Sequence, residues 1–193
     1  MNTTLYHIPY SNSVPDELLA LYNTSFPADE RRPVDSILSL IDNHDSPFNA
    51  YVIKADNGFA GFITTWDFDD MLYVEHFATN PELRGQGIGS DALNMLMELA
   101  DKPVVLEVEP EDSNPLASRR IGFYRRHGFM LHSDYKYIQP PYTPESQSIE
   151  MKLMSSGTID PDRARTLLYK HVYRAECCLL YTSPSPRDST SSR

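Results

Sequence analysis

Three glycines alternate with other residues in the hexapeptide Arg-Gly-Gln-Gly-Ile-Gly of residues 84–89. The hexapeptide follows residues 71–79, which have strand character, and precedes residues 90–100, whose apolar side chains recur at helical spacing. Glycines at such a strand-to-helix turn permit positive φ angles, and the first N–H groups of the helix have no partner within it. The turn therefore predicts an anion-binding site that suits phosphate or pyrophosphate best.

Two common phosphate-binding motifs do not match this turn. A P-loop requires Gly-Lys-Ser/Thr at the start of its helix, but Gly87 is followed by Ile88, Gly89 and Ser90, so no lysine can reach a terminal phosphate. The dinucleotide-binding fingerprint requires Gly-x-Gly-x-x-Gly, whereas the glycines here alternate. The turn must therefore belong to another class of phosphate site.

The turn resembles the signature Gln/Arg-x-x-Gly-x-Gly/Ala of the GNAT superfamily of N-acetyltransferases, with Arg84, Gly87 and Gly89 at its defined positions. A second segment, residues 118–129, resembles the motif that follows in this family, a helix with a tyrosine, here Tyr124, four residues before Gly-Phe. Two motifs in the right order and in the right secondary structure are much more specific than one. The chain is therefore similar to GNAT acetyltransferases.

This resemblance implies that acetyl-CoA is the co-substrate. In the family, the strands that here end near Thr79 and begin near Val104 splay apart to admit the pantetheine arm, and the glycine turn holds the pyrophosphate. Many relatives also have an asparagine before the tyrosine-bearing helix; by spacing its place falls on Ala117, and Asn114, in an apparent insertion, is a less direct match. The residues assigned to the cofactor by resemblance are Phe77, Ala78, Thr79, Arg84, Gly85, Gln86, Gly87, Ile88, Gly89, Ser90 and Asn114.

The resemblance gives Tyr124 the role of the acid that protonates the leaving thiolate, and transfer to an amine also needs a base. Glu75 is the first candidate, because residues 73–76 resemble small-amine acetyltransferases with an acidic residue here. Glu107 is second, because its strand resembles that of ribosomal-protein alanine acetyltransferases. His76 is third and, as the neighbour of Glu75 on a regular strand, is expected to face the opposite side. Salt bridges for the glutamates, a hydrogen-bonded core imidazole for His76 and packing for Tyr124 remain open alternatives.

Composition limits the class of partner. The formal net charge of −10 over 193 residues argues against nucleic acid and mildly favours an amine. No apolar run approaches the length of a membrane span, and the polar start lacks a signal peptide, so we expect a cytoplasmic protein. The two cysteines, Cys177 and Cys178, are adjacent and near the end, so no disulfide framework, metal site or catalytic thiol is predicted in the domain. The sequence leaves open whether the protein forms a homodimer.

The elements that must position these residues follow the order β, α, α, β, β, β, α, β, α, β, β, which is that of the GNAT fold. The resemblance implies an α+β protein with a mixed, mostly antiparallel sheet flanked by helices and splayed between the fourth and fifth strands. A hairpin is predicted at Asp56-Asn57-Gly58, where Asn-Gly would supply the positive φ angles. The predicted strands are residues 4–8, 49–55, 59–66, 71–79, 104–108, 129–138 and 148–154, and the predicted helices are residues 15–26, 34–43, 90–100 and 116–127.

We expect one acetyltransferase domain over residues 1–155 and a helical extension over residues 156–177, whose helix would be at most an accessory element. Residues 178–188 match, in a single reading frame, the conceptual translation of a transposon-type sequencing adapter, residues 189–191 would be its index barcode and residues 192–193 the start of the next adapter segment, so residues 178–193 are expected to be a disordered artefact. A natural Ser/Pro-rich disordered tail is the alternative that composition favours. The natural chain is then expected to continue past Cys177 in another way.

The combined expectation is an enzyme that transfers acetyl from acetyl-CoA to a primary amine of a small molecule or peptide. Direct attack in a ternary complex is favoured over an acyl-enzyme, because the expected domain has no cysteine. The resemblance also implies that residues 26–33 and the tyrosine-bearing residues 135–144 contact the acceptor, whose identity stays open. Two alternatives remain: a catalytically silent module that binds acyl-CoA and senses it, and a transferase of a longer acyl group.

Overall fold

The computed structural model describes residues 2–175, and both cysteines and the predicted adapter-derived residues 178–193 lie outside this range. Within the described residues the chain forms eight strands and five α-helices, besides three 3₁₀ helices of three residues each and one π-helical turn. The strands are β1 (Thr3–His7), β2 (Phe48–Ala55), β3 (Gly58–Asp67), β4 (Leu72–Thr79), β5 (Val104–Val108), β6 (Met130–Leu131), β7 (Tyr137–Gln139) and β8 (Ile149–Ser155). The helices are α1 (Asp16–Ser25), α2 (Val34–Asp42), α3 (Ile88–Ala100), α4 (Pro115–Arg126) and α5 (Pro161–Leu167), and α5 continues into a π-helical turn, Leu168–Val172.

All eight strands belong to one mixed sheet in the order β1-β2-β3-β4-β5-β8-β6, with β7 also paired to β8. The strand pairs are antiparallel except β4–β5, which is parallel. The predicted α+β class, with a mostly antiparallel sheet flanked by helices, is confirmed.

The sheet opens between β4 and β5. Their pairing comprises three residue pairs and ends at Val74 with Leu106. Beyond this point β4 continues to Thr79 alongside β3, and β5 continues to Val108 alongside β8. The two parallel strands therefore diverge toward their C-terminal ends, which is the splay expected between the fourth and fifth strands. We call this opening the β4–β5 gap.

Helices cover both faces of the sheet. One face, called the α1 face, is covered by α1, α2 and the C-terminal segment, residues 161–175, and its buried residues include Tyr22, Ile37, Phe62, Trp66, Tyr73, Leu168 and Val172. The other, called the α3 face, is covered by α3 and α4, and its buried residues include Val74, Leu93, Leu96, Leu106, Ile121 and Tyr124. The β4–β5 gap thus opens toward two separate hydrophobic clusters.

The C-terminal segment is an integral part of the α1 face. Ala164, Leu168 and Val172 are 1%, 0% and 0% exposed, and Tyr173 is 7% exposed. The first three side chains recur every four residues, so they form one apolar stripe along the helical turns. The expectation that this segment is at most an accessory element is therefore wrong, because its side chains share a core with the sheet.

Two local predictions need correction. The strand predicted over residues 129–138 is two short strands, β6 and β7, because residues 132–136 turn the chain, with the N–H of Tyr135 donating to the carbonyl of His132 at 3.2 Å. The predicted β2–β3 hairpin is present, but its positive φ angles are 46° at Asp56 and 71° at Asn57. Ala55 pairs with Gly58, so the two-residue loop is Asp-Asn and the glycine already belongs to β3.

Candidate active site

The glycine turn is an exposed cradle at the start of α3. Gly85 and Gly87 have φ angles of 81° and 83°, and a Cβ atom at either position would meet no atom within 4 Å. Glycine is therefore required by the backbone conformation, while the space above the turn is open. Gly87 is the N-cap, and no side chain of residues 2–175 caps the helix. The first N–H groups of α3 are thus left for an external anion, so the residues present fit a pyrophosphate.

The cradle adjoins the end of β4. An ideal Cβ on Gly89 would lie 3.6 Å from Thr79 Cγ2 and 3.7 Å from Phe77 Cζ, so α3 and β4 are in close contact here. The side chain of Glu75 is 0% exposed, although the residue as a whole is half-buried, so the exposed atoms are in the main chain. The cradle therefore lies beside the C-terminal end of β4, the part of the strand beyond its pairing with β5.

A β-bulge interrupts β4 at Glu75. Thr64 pairs with His76 and Thr65 pairs with Val74, so Glu75 is an extra residue without a partner in β3. A bulge breaks the alternation of side chains between the two faces. Glu75 and His76 both lie on the α1 face, with His76 Nδ1 3.9 Å from Glu75 Oε2. The prediction that His76 faces the side opposite to Glu75 is therefore wrong.

Glu75 forms an ion pair with a residue of the α1–α2 loop. One carboxylate oxygen accepts from Arg32 Nε at 2.7 Å and the other accepts from Trp66 Nε1 at 2.9 Å. Burial by itself raises the pKa of Glu75, but the Arg32 guanidinium, His76 and these hydrogen bonds outweigh burial and lower the pKa below its usual value. Glu75 is thus held as a carboxylate, and both oxygens have partners.

Arg32 connects five segments on the α1 face. Its guanidinium bonds Glu75, donates through Nη2 to the carbonyl of Val172, and lies 5.3 Å and 4.8 Å from the ring centroids of Trp66 and Tyr142. Its main-chain N–H donates to Tyr22 Oη at 2.7 Å. The guanidinium of Arg32 therefore joins its own α1–α2 loop to four other segments: β3, β4, the β7–β8 loop and the C-terminal segment.

His76 is a satisfied core imidazole. It is 2% exposed and its ring contacts Tyr22 and Phe26 edge-on at 5.0 Å and 4.8 Å between centroids. Nε2 donates to the carbonyl of Glu30 at 3.1 Å, so Nδ1 can accept from the hydroxyl of Thr64 at 3.3 Å. Burial lowers the pKa of His76. Both nitrogens are occupied, which favours the structural alternative for this residue.

Glu107 lies on β5, across the β4–β5 gap, and its carboxylate is surrounded by phenols. Tyr137 donates to Oε1, and Tyr173 donates to Oε2 at 2.6 Å. Tyr73 Oη lies 3.2 Å from Tyr173 Oη. Burial raises the pKa of Glu107 to about 7, although the tyrosine hydrogen bonds oppose this rise. Glu107 is therefore able to exchange a proton near neutral pH.

Tyr124 lies on the α3 face, on the other side of the sheet from both glutamates. It is 7% exposed, and its ring packs against Phe123 and Phe129 at 5.2 Å and 5.5 Å between centroids. Burial raises the pKa of Tyr124 to about 12, so the phenol is protonated at neutral pH. The residue can therefore donate a proton, and it also packs in the core.

Asn114 has a local structural role. Its side-chain oxygen accepts from the N–H of Ala117 at 2.9 Å, and its amide donates to Glu109 at 2.9 Å. This is the N-cap of α4. A contact of Asn114 with the cofactor therefore stays a prediction, since both polar groups already have partners.

The site also contains residues that the sequence did not single out. Arg32 belongs to a loop predicted to contact the acceptor, but nothing local marks it as the partner of Glu75. Tyr73 and Tyr173 approach Glu107 from β4 and from the C-terminal segment. Tyr137 was predicted only as part of an aromatic acceptor segment. These partners are separated along the chain, so spacing alone could not reveal them.

A sheet that opens between two parallel strands, beside an uncapped glycine turn, defines the chain as an acyltransferase of the type that uses a coenzyme A thioester. The model of the acetyltransferase (GNAT) family matches residues 15–129. The chain therefore belongs to the GNAT acetyltransferase family, whose members transfer acetyl and use acetyl-CoA. None of the helices in residues 2–175 is long and apolar enough to cross a membrane.

The chain is similar to known acetyltransferases in sequence and in fold. A solved GNAT-family structure from Bacteroides thetaiotaomicron is 38% identical and covers 88% of this chain and 98% of its own, with a TM-score of 0.81. A curated Bacillus subtilis (strain 168) protein named "Putative acetyltransferase YjbC" is 30% identical over 79 residues, or 40% of this chain and 41% of that protein. A GNAT acetyltransferase from Elizabethkingia anophelis, solved with acetyl-CoA bound, is 15% identical over 81% of this chain and 99% of its own, with a TM-score of 0.55, and shares the fold.

Proposed function

We propose that this chain transfers acetyl from acetyl-CoA to a primary amine by direct attack, with both substrates bound at once. The observation that carries this proposal is the β4–β5 gap, with a carboxylate of raised pKa on one of the two diverging strands and a protonated phenol buried on the opposite face of the sheet. Glu107, with a pKa of about 7, lies on the α1 face, and Tyr124, a protonated phenol, lies on the α3 face. A base on one side and an acid on the other suit a reaction that deprotonates an amine and protonates a thiolate.

The cofactor assignment rests on the cradle and the gap. Residues 84–90 would hold the pyrophosphate with main-chain N–H groups, and the main chain of Phe77, Ala78 and Thr79 would pair with the pantetheine arm. Acetyl-CoA supplies an acetyl group activated as a thioester. Main-chain N–H groups of the bulged part of β4 would polarise its carbonyl oxygen, because they border the gap and need no reorganisation.

Glu107 is preferred to Glu75 as the base. A base near neutral pH needs a pKa close to the working pH and an oxygen that can reach the amine. The Glu75 carboxylate is paired with the Arg32 guanidinium and its pKa is lowered, so it is a weak base. Each Glu107 oxygen accepts one phenol hydrogen bond, which leaves a second lone pair on each for an incoming N–H group or a water. This reverses the order in which the sequence ranked the two glutamates.

The proposal is tested with a panel of primary amines, including amino sugars, polyamines and peptides with free N-termini. Thiol release from acetyl-CoA above the no-amine rate is the readout, and at least one amine should support turnover. With that amine, Tyr124→Phe should lower kcat and kcat/KM alike by roughly 10²- to 10⁴-fold, because the variant keeps the ring and loses only the acidic hydroxyl.

Binding is measured separately by retention on coenzyme A resin. Gly87→Val should abolish retention, and Gly128→Val is the matched control because Gly128 has a similar φ of 84° at the end of α4, away from the cradle. Retention by the parental chain without turnover of any amine would favour the silent binding module instead.

A further inference from the structure

The C-terminal segment supplies a side chain to the candidate base. Tyr173 lies outside residues 15–129, which the family model matches, yet its hydroxyl donates to Glu107 Oε2 at 2.6 Å. Tyr173 is 7% exposed. A phenol carried by a late segment of the chain is therefore in direct contact with the carboxylate on β5.

A second phenol, that of Tyr73, contacts the hydroxyl of Tyr173. Tyr73 Oη lies 3.2 Å from Tyr173 Oη. While Glu107 is ionised it accepts the Tyr173 proton, so Tyr73 is then the donor in the second hydrogen bond. Two hydroxyls in series thus point their protons toward Oε2, while Tyr137 donates to Oε1. Such a chain stabilises negative charge on the carboxylate more than a single donor does.

Among the described residues, few charged groups lie near this cluster. The titratable groups of this part of the chain that face Glu107 are Tyr73 and Glu75 from β4, Tyr137 from β7, Tyr142 from the β7–β8 loop, and Tyr169 and Tyr173 from the C-terminal segment. The phenols are neutral at ordinary pH, since burial raises the pKa of each. The charge on Glu75 is paired with Arg32. The ionisation of Glu107 is therefore governed mainly by burial and by phenol hydrogen bonds.

The position of Tyr173 does not depend on its hydroxyl alone. Its ring lies 5.0 Å from the Tyr142 ring between centroids, and the carbonyl of the preceding residue, Val172, accepts from Arg32. Leu168 and Val172 are 0% exposed and anchor the turn. Removing only the hydroxyl should therefore leave the segment in place.

We propose that Tyr173 is a positioning residue for acetyl transfer, whose hydroxyl orients the Glu107 carboxylate and favours its ionised form. The C-terminal segment then forms part of the site where the amine acceptor would bind beside Glu107, on the α1 face. This inference rests on the proposed function, in which Glu107 receives the proton of the amine. It assigns a role in the reaction to a part of the chain outside the residues that the family model matches.

Tyr173→Phe in the full chain tests the inference, with Tyr169→Phe as the matched control. Tyr169 is on the same turn, but its hydroxyl donates to the carbonyl of Ile138 at 2.5 Å and not to Glu107. The first readout is the carboxyl ¹³C titration of Glu107 in protein labelled at glutamate, assigned by its loss in Glu107→Gln. Tyr173→Phe should raise the midpoint by roughly one pH unit, and Tyr169→Phe should leave it unchanged.

The second readout is the pH dependence of kcat/KM with an amine that is turned over. The acidic limb should move to higher pH by the same amount in Tyr173→Phe only. An unchanged midpoint would overturn the inference. An increase in kcat/KM without a shift of the acidic limb would also overturn it, because Tyr173 would then only restrict access to Glu107. If no amine is turned over, the proposed function fails, while the titration still decides whether Tyr173 controls the ionisation of Glu107.

Discussion

Glu75 and Glu107 are two buried carboxylates on neighbouring strands and on the same face of the sheet, yet their pKa values move in opposite directions. Glu75 is paired with the Arg32 guanidinium, and its pKa is lowered. Within residues 2–175 the donors to Glu107 are phenols, and burial raises its pKa to about 7. Both lose contact with water, so burial does not distinguish them. The charge of the partner decides whether a buried carboxylate is a fixed anion or a proton acceptor.

The largest expected effect that separates the two carboxylates is on turnover. Glu107→Gln keeps the size of the side chain and removes its basicity, so kcat should fall by roughly 10²- to 10⁴-fold with any amine that is turned over. Urea denaturation should show a folded protein of similar stability near neutral pH. Parental turnover in this variant would mean that Glu107 is not the base. The difference in pKa between Glu75 and Glu107 would then have no role in catalysis.

Substitution of Glu75, unlike that of Glu107, should lower the free energy of unfolding. Glu75→Gln leaves the Arg32 guanidinium buried without its counter-ion, which should cost about 3–5 kcal/mol of the free energy of unfolding, measured by urea denaturation. The double substitution Arg32→Met with Glu75→Leu removes both charges and should recover most of that loss. If Glu75→Gln is as stable as the parental chain, the ion pair is not what fixes this carboxylate.

The smallest expected effect is on the pH dependence of the free energy of unfolding, but its direction distinguishes the two carboxylates clearly. The pKa of Glu107 is about 7 in the folded chain and near 4.5 when unfolded, so its contribution to stability is present at low pH and is lost as the pH rises through 7. Between pH 5 and pH 8 the parental chain should therefore lose about 2–3 kcal/mol relative to Glu107→Gln.

Glu75 has the opposite linkage. Because its folded pKa is lowered, its stabilising contribution is present above the unfolded pKa and is lost as the pH falls through the folded value. It should therefore stay constant across pH 5 to 8. Parallel stability curves for the parental chain and Glu107→Gln over this interval would contradict the raised pKa.

Much of this fold was predictable from the sequence, because local patterns report local structure. Apolar periodicity placed most helices and strands within a residue or two, and the glycine turn was located from spacing alone. The bulge at Glu75 was missed because it depends on how β4 aligns with Thr64 and Thr65 of β3. The opposite-face expectation for His76 failed for that reason.

The partners of the carboxylates were not predictable in the same way. The sequence marked Glu75 and Glu107 as candidates, but hydrogen bonds join Glu75 to Arg32 over 43 residues and Glu107 to Tyr173 over 66 residues. Periodicity indicates that a residue is buried, and it does not indicate which group it meets. The sequence could therefore name both candidates, but the proposed order, with Glu107 before Glu75, depends on those distant partners.

The bond between Arg32 and Val172 joins residues 140 positions apart, and it has a consequence for the order in which the protein is synthesised. Arg32, Glu75 and Glu107 all leave the ribosome well before Val172 and Tyr173 do. Until the C-terminal segment emerges, the nascent sheet has an Arg32 donor and a Glu107 acceptor without their final partners, and an uncovered apolar surface where Leu168 and Val172 will pack. Among the described residues, the cluster around Glu107 on the α1 face is thus completed last, and translation that stops before Val172 should leave a protein with its glycine cradle built and Glu107, the proposed base, open to water.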